Sequence, residues 1–590
     1  MKRNEVDKKY LWHVQDIYPT LEDWEKDFKY IQDNSDFSGY ENRLNNATVL
    51  LEYLRKQDDL MKIIEKVYCY AMLNHDTDLA DSDYDSMMAR VRGFLVKYDA
   101  ATSFVVPELT AMSDEQLSAL VDNPDFSDYD YMLSGIIKEK KHILSKEVEN
   151  VLALGGEVYG QFQDAFMKID NADLPMPEID DGKGGKIKLS HGVYGLLMQD
   201  KDRDLRKRTF KAYYKSYMDF TNTITSIYNG NVKKDVFLAR VRKYDSCLDK
   251  ALSGEDVVPE VYTNLINAVH DGFPVMHEYI KAKKKALGLE EMHMYDMYVP
   301  VVENADISVS YEEACEIVLE GLKPLGEEYR ALLKKAMNEG WIDVCETEGK
   351  RSGAYSMGVH GVHPFVLLNY QPTTHDVFTI AHELGHSMHS YFSAKNQPYA
   401  KADYKIFVAE VASTVNEMLL VMHFLKTVED KNVKKYILSY LMEMIRTTMF
   451  RQTQFAEFEY FAHDLAEKGM PLTTKVLNEK YLEINKAYYG DGVVSDDEIA
   501  YEWSRIPHFY TAFYVYKYAT GIISAMAIVN RILTEGEPAV KDYFAFLSSG
   551  GSDNPVNLLK IAGVDLTEKE PFEKATELFK NTLEEFKALN

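Results

Sequence analysis

The sequence predicts a mostly α-helical protein with a small β-sheet, on three observations. Apolar residues recur at three- and four-residue spacing, opposite charged faces, around residues 41–75, 84–112, 145–168 and 200–235. Extended character is confined to short stretches within 175–190 and 353–370. No Pro/Ser-rich linker, low-complexity tract or internal repeat interrupts the 590 residues. A composition that is 46% hydrophobic and 12% aromatic supports a large core and argues against disorder.

Along the chain, the first departure from helical spacing is Pro175 to Ser190. There Met176-Pro177-Glu178-Ile179 and Lys186-Ile187-Lys188-Leu189 flank Asp181-Gly182-Lys183-Gly184-Gly185, which reads as a hairpin. Two further short strands are expected at Gly353–Met357 and Phe365–Tyr370. A helix follows, with Val377, Ile380, Ala381, Leu384, Met388, Tyr391 and Phe392 on a buried face. Pro372 marks the break before it, and Thr373, Thr374 or Asp376 can cap it. A second apolar helix covers Phe407 to Leu419, and an aromatic segment runs from Ile506 to Tyr518. Gly521 to Val529 is only a buried-helix-sized stretch, and no apolar run approaches the 18 or so residues that cross a bilayer.

Inside the first of these helices lies His382-Glu383-Leu384-Gly385-His386. Residues four apart share a helix face, so both imidazoles can reach one metal ion. A chain with 16 His in 590 residues shows such a pentapeptide by chance only about 3–4% of the time. Glu383 can act as general base on a zinc-bound water, the nucleophile for hydrolysis. Gly385 costs up to about 1 kcal/mol in a helix relative to alanine, and a side chain there would crowd the metal or a neighbouring strand. A catalytic zinc needs a third protein ligand and keeps a fourth position for water. Glu410 is the choice, since a carboxylate in an otherwise apolar helix is expensive to bury without a cation. His389, seven residues after His382, is the rival. Glu417, two turns beyond Glu410, can accept the far N–H of a ligand histidine and fix its tautomer.

These residues carry a resemblance. The run from Gly361 to Gln371, the stretch from Asp376 through His389, the Phe407–Glu417 block and the tyrosine-rich segment near 510 resemble oligoendopeptidase F, among the thimet-oligopeptidase-like zinc metallopeptidases. The opening stretch from Tyr10 to Lys26 is similar too, so the likeness spans nearly the whole chain. It implies a two-lobed, zincin-like fold with a deep substrate channel: an N-terminal helical lobe over 1–200 and a zinc peptidase domain over 201–590. It places the third ligand of a single zinc ion on Glu410. It gives His508, Tyr510 and Tyr516 the task of holding substrate and transition state, with Tyr514 an alternative because the spacing differs from the thimet branch. Neutral O–H and N–H donors of this kind stabilise the oxyanion of amide hydrolysis. His360 and His363 can line the cleft, where a strand edge would pair with a peptide backbone.

The expected activity is that of a zinc endopeptidase acting on short unfolded oligopeptides. A zinc carboxypeptidase on a related fold is the alternative, and a catalytically silent helical binding protein is the bland one. A net charge of −27 disfavours nucleic acid and anionic membrane as partners. Cys69, Cys247, Cys315 and Cys345 show no paired spacing, and the N-terminus has no apolar signal region. A cytoplasmic location is therefore expected.

Overall fold

Capping side chains set where the helices begin. In the computed structural model, which describes residues 1–302 and 308–589, the Asn46 side chain accepts the N–H groups of Thr48 and Val49 and opens the helix Ala47–Thr77. Asp202 does the same for Arg203–Asp219, and Thr373 for Thr374–Asn396. Three of the four predicted helical stretches are each two helices. The 84–112 stretch divides into Ser82–Thr102 and Val105–Ala111, where Pro107 sits in a first turn that needs no N–H from it. The 145–168 stretch breaks at Gly155, and the 200–235 stretch breaks at Phe220.

The chain forms two compact units, each assembled from three separate stretches. The first comprises Met1–Ile143, Asp306–His423 and Ile528–Val564; the second comprises Leu144–Ala305, Phe424–Ala527 and Asp565–Asn590. Neither follows the boundary expected at residue 200, and the packing of the first unit shows why. Trp24, Phe28, Ile31, Tyr53, Leu60 and Val67 form its N-terminal core, and Phe365 and Leu367 belong to the same buried cluster. The strand beside the zinc motif is thus mounted on the N-terminal helices.

That sheet holds three of the five strands among the described residues, β3 (Ile342–Asp343), β4 (Tyr355–Met357) and β5 (Phe365–Leu367), in the order β3-β5-β4. β3 runs parallel to β5, and β4 runs antiparallel to it, with Ser356 opposite Val366. β3 escaped the sequence because two residues carry no alternation. β5 is buried at all three positions, whereas β4 is a half-buried edge. The second unit holds the expected hairpin, β1 (Glu178–Asp180) against β2 (Lys186–Lys188). Its turn is closed by the Asp181 carboxylate, which accepts the N–H groups of Lys183 and Gly185. Its helices Thr221–Val241, Arg451–Glu467 and Thr474–Tyr489 meet through Tyr228, Phe458, Tyr481 and Trp503.

One helix corrects the reading of membrane-crossing potential. Ile406–Thr427 is long and apolar enough to cross a bilayer, yet most of its apolar stretch is buried inside the protein. Its apolarity is that of a core helix covered on several sides. Among the described residues all four cysteines are free, and three are buried.

Candidate metal centre

Two helices of the first unit build the site, Thr374–Asn396 with the histidines and Ile406–Thr427 with the glutamates. They approach closely at Gly385. A Cβ there would lie 2.6 Å from the Ala412 carbonyl oxygen and 2.6 Å from the Ser413 Cα. The glycine therefore makes room for a neighbouring helix backbone, and not for a strand or a metal. Buried Asn416 fastens the contact, donating to the Ala381 carbonyl at 2.9 Å while its own oxygen accepts from Tyr329 at 2.9 Å.

This contact brings three donors together. The Nε2 atoms of His382 and His386 lie 3.2 Å apart, and Glu410 Oε2 lies 3.5 Å from each. Metal–ligand bonds of about 2.0–2.2 Å at tetrahedral angles give ligand–ligand edges of roughly 3.3–3.6 Å. The triangle fits one transition-metal ion. His382 Nδ1 donates to Glu417 at 2.5 Å, which leaves the Nε2 lone pair facing the triangle. Glu383 is buried beside the histidines. Next to it, Ser387 donates to the Glu383 carbonyl at 3.0 Å, and its hydroxyl meets that of Ser356 on β4 at 2.8 Å. The sheet edge and the histidine helix are tied at that point.

The charges are tightly coupled. Burial opposes a charge on His382, but the hydrogen bond and charge of Glu417, with Glu383 and Glu410, more than offset it and lift its pKa to about 9. The hydrogen bond from His386 holds Glu410 down to about 2. Burial raises Glu383, against the pull of His382 and His386. The acidic groups that favour a proton on His382 also favour a divalent cation beside it.

His389 is not part of the triangle. It is buried, stacked on Tyr404 with ring centroids 3.7 Å apart and against Phe546 at 5.2 Å. Burial, with His386 nearby, drives its pKa down to about 3, and its Nδ1 has no hydrogen-bond partner. His363 is also occupied, donating to Asp16 at 2.9 Å and stacking on Trp341. His360 packs edge-on against Tyr399, with its backbone N–H on Glu65.

The aromatic segment lies in the second unit. Pro507–Tyr510 is a 3₁₀ turn, and a helix starts at Tyr516. Between them Phe513 adopts φ +53°, a left-handed conformation that costs a bulky residue about 1–2 kcal/mol. Tyr510 and Tyr516 are buried; Tyr510 stacks on Phe166 at 4.4 Å and its hydroxyl has no hydrogen-bond partner. Exposed His508 instead has Tyr514 stacked at 6.0 Å and the Tyr518 hydroxyl 3.4 Å from its Nε2, and both tyrosines are part-exposed. The tyrosines packed against His508 that keep some exposed surface are thus Tyr514 and Tyr518, and no sequence motif singles out Tyr518. Its place four residues after Tyr514, in the first turn of the helix that begins at Tyr516, was the available signal.

Known proteins resemble this chain over its whole length. The profile of peptidase family M3 matches residues 196–578, and that described as oligopeptidase F matches residues 108–175. The chain is 42% identical over 590 residues to oligopeptidase PepF of Bacillus subtilis (strain 168), covering 100% of this chain and 88% of that one. It is 38% identical over 593 residues to group B oligopeptidase PepB of Streptococcus agalactiae, covering 100% and 98%. Among solved structures, a chain from Chlamydophila abortus described as a peptidase matches with a TM-score of 0.96 at 36% identity, over 100% of both chains. Oligoendopeptidase-F from Enterococcus faecium matches with a TM-score of 0.73 at 34% identity, over 96% and 99%.

Proposed function

The chain belongs to peptidase family M3, in its oligoendopeptidase F group, and is a metalloendopeptidase; on that premise we propose that it uses one zinc ion to cleave short, unfolded oligopeptides. The observation that carries this reading is the triangle of His382, His386 and Glu410 with Glu383 beside it. Two imidazoles and one carboxylate at tetrahedral spacing suit zinc, whereas magnesium and calcium prefer all-oxygen sets. His382, His386 and Glu410 would hold the ion, which when bound would supply Lewis acidity toward a water and the scissile carbonyl.

The chain's own groups do the rest. Glu383 accepts the proton of the attacking water and returns it to the leaving amine nitrogen. Its burial, which raises its affinity for a proton, suits a group that must hold and release one. Glu417 keeps His382 in the tautomer whose Nε2 is free. The outer edge of β4, tied to the histidine helix through Ser356 and Ser387, offers main-chain groups to an extended peptide. His508, with the tyrosines of 510–518, supplies neutral donors to the carbonyl oxygen as charge develops on it. Exposure favours Tyr514 and Tyr518 over Tyr510 and Tyr516 for that contact. Four free cysteines support a reducing, intracellular setting.

An internally quenched peptide blocked at both ends tests the reading. Cleavage is expected, with loss of activity on chelation and recovery on adding stoichiometric zinc. Activity that survives complete metal removal would sink it.

A further inference from the structure

The left-handed turn at Phe513 is held by a buried polar network that the peptide chemistry does not use. Glu459, with no exposed surface, accepts the Phe513 N–H at 2.8 Å. Four residues earlier, the fully buried Asn231 side chain donates to the Phe509 carbonyl at 3.3 Å, and it also meets Asp235. His463 links the two ends. Its Nδ1 donates to the Glu459 carbonyl at 2.9 Å and its Nε2 lies 3.3 Å from the Asp235 carboxylate. Both partners can only accept, so the ring is held as an imidazolium. Lys234 completes the set, donating to Asn231 and pairing with Asp235. The ring of Phe513 is packed in turn between His463, at 4.7 Å, and Tyr262, at 5.7 Å.

Isolated buried carboxyls are expensive, and one whose second oxygen, Glu459 Oε2, finds no partner is more so. Such a group persists where its single contact is needed. Without an acceptor for its N–H, Phe513 gains nothing from a positive φ, and relaxation of that residue redirects the chain between His508 and Tyr514.

We infer that Glu459 is a positioning residue for the peptidase reaction: its buried carboxyl clamps the Phe513 N–H and so sets Tyr514 and Tyr518 beside His508. The inference rests on the proposed role of the His508 segment and extends it to a residue that never meets substrate.

Steady-state kinetics of the zinc-loaded protein on the blocked peptide test it with E459M, E459Q, H508A and E459M/H508A. E459M, which fills the space without an acceptor, is expected to lower kcat about 10–100-fold with KM changed less than about threefold. E459Q keeps an amide oxygen for the Phe513 N–H and is expected to stay within about threefold of wild type. In the H508A background E459M is expected to cost less than about threefold further, because it acts through that segment. Wild-type kcat in E459M, an E459Q as slow as E459M, or the same loss in both backgrounds each overturns the inference. Wild-type kcat in H508A overturns the segment reading itself, and is distinct from a slow H508A with a fast E459M. Should E459M not fold, Asn231→Leu, which frees the Phe509 carbonyl, must give the same His508-dependent loss; unchanged kcat there overturns the clamp.

Discussion

The metal triangle and the His508 segment hold their side chains in place by opposite means. In the first, donors ride on two regular helices, pressed together at Gly385 and pinned by Asn416. Every donor direction follows from helical periodicity once the helices touch. In the second, a short 3₁₀ turn, a left-handed phenylalanine and a helix start succeed one another within a dozen residues, and buried polar groups hold the path. The first arrangement stores little local strain; the second depends on side chains far away in sequence to maintain it. A substitution that keeps helix geometry should leave the triangle intact, whereas the segment is exposed to changes in its supports.

The sharpest break of this contrast is at Glu383. Glu383→Gln keeps the shape of the side chain and both histidines, so zinc content should be unchanged while kcat falls by roughly three orders of magnitude or more. Metal analysis alongside turnover checks it, and near-normal turnover in the metal-replete variant would falsify the general-base role. Next come the tyrosines. Tyr518→Phe or Tyr514→Phe should lower kcat about 100- to 1000-fold at nearly constant KM, the range for one oxyanion donor. Tyr510→Phe and Tyr516→Phe should cost kcat less and show mainly as altered thermal unfolding, since both rings are buried. The reverse ranking would mean that the segment rearranges before it acts.

Glu417→Gln addresses the regular half of the comparison. Its amide can still accept from His382 but carries no charge, so zinc affinity should fall about 10–100-fold in a competitive chelator titration. An unaltered affinity would show that the helices alone orient His382. The smallest effect concerns pH. Burial raises Glu459 to about 8 from an ordinary value of 4.5, the positive His463 and the Phe513 N–H working against the rise. Because the folded value is the higher one, its stabilising contribution is complete below pH 4.5 and is lost as pH rises through about 8. Urea midpoints of E459Q should therefore decline less between those limits than wild-type midpoints do. Parallel curves would place the ionisation elsewhere.

What could be read from the sequence follows the same division. The His382/His386 pair was legible because a spacing of four has one meaning on a helix, and Glu410 because a carboxylate is conspicuous among Phe407, Val408, Val411 and Ala412. His389 shared that periodicity, and only the stacking of Tyr404 and Phe546 around it separates a packed histidine from a donor. In the 506–518 segment neither the period of a helix nor that of a strand applies. Tyr510, Tyr514, Tyr516 and Tyr518 were indistinguishable until the turn at Phe513 assigned their directions. Glu459 and Asn231 lie about 50 and 280 residues from the backbone groups they bind, and nothing local signals such partners. Order along the chain does not announce the two compact units either. Membership of a core is decided by contacts such as Phe365 and Leu367 among the N-terminal aromatics, not by order along the chain.

That interleaving has a consequence for birth of the protein on the ribosome. The first unit needs its third stretch, Ile528–Val564, and the second needs Asp565–Asn590, so neither can close while most of the chain is still being made. At about 5–20 residues per second, the stretch from Thr427 to Val564 takes roughly 7–27 s to make. The histidine and glutamate helices are both made by residue 427, well before their unit has all its walls. A nascent or truncated chain therefore carries the metal-binding motif without a finished scaffold around it. For a peptide-cutting protein, competence then waits on Ile528–Val564, a delay set by the order of segments alone.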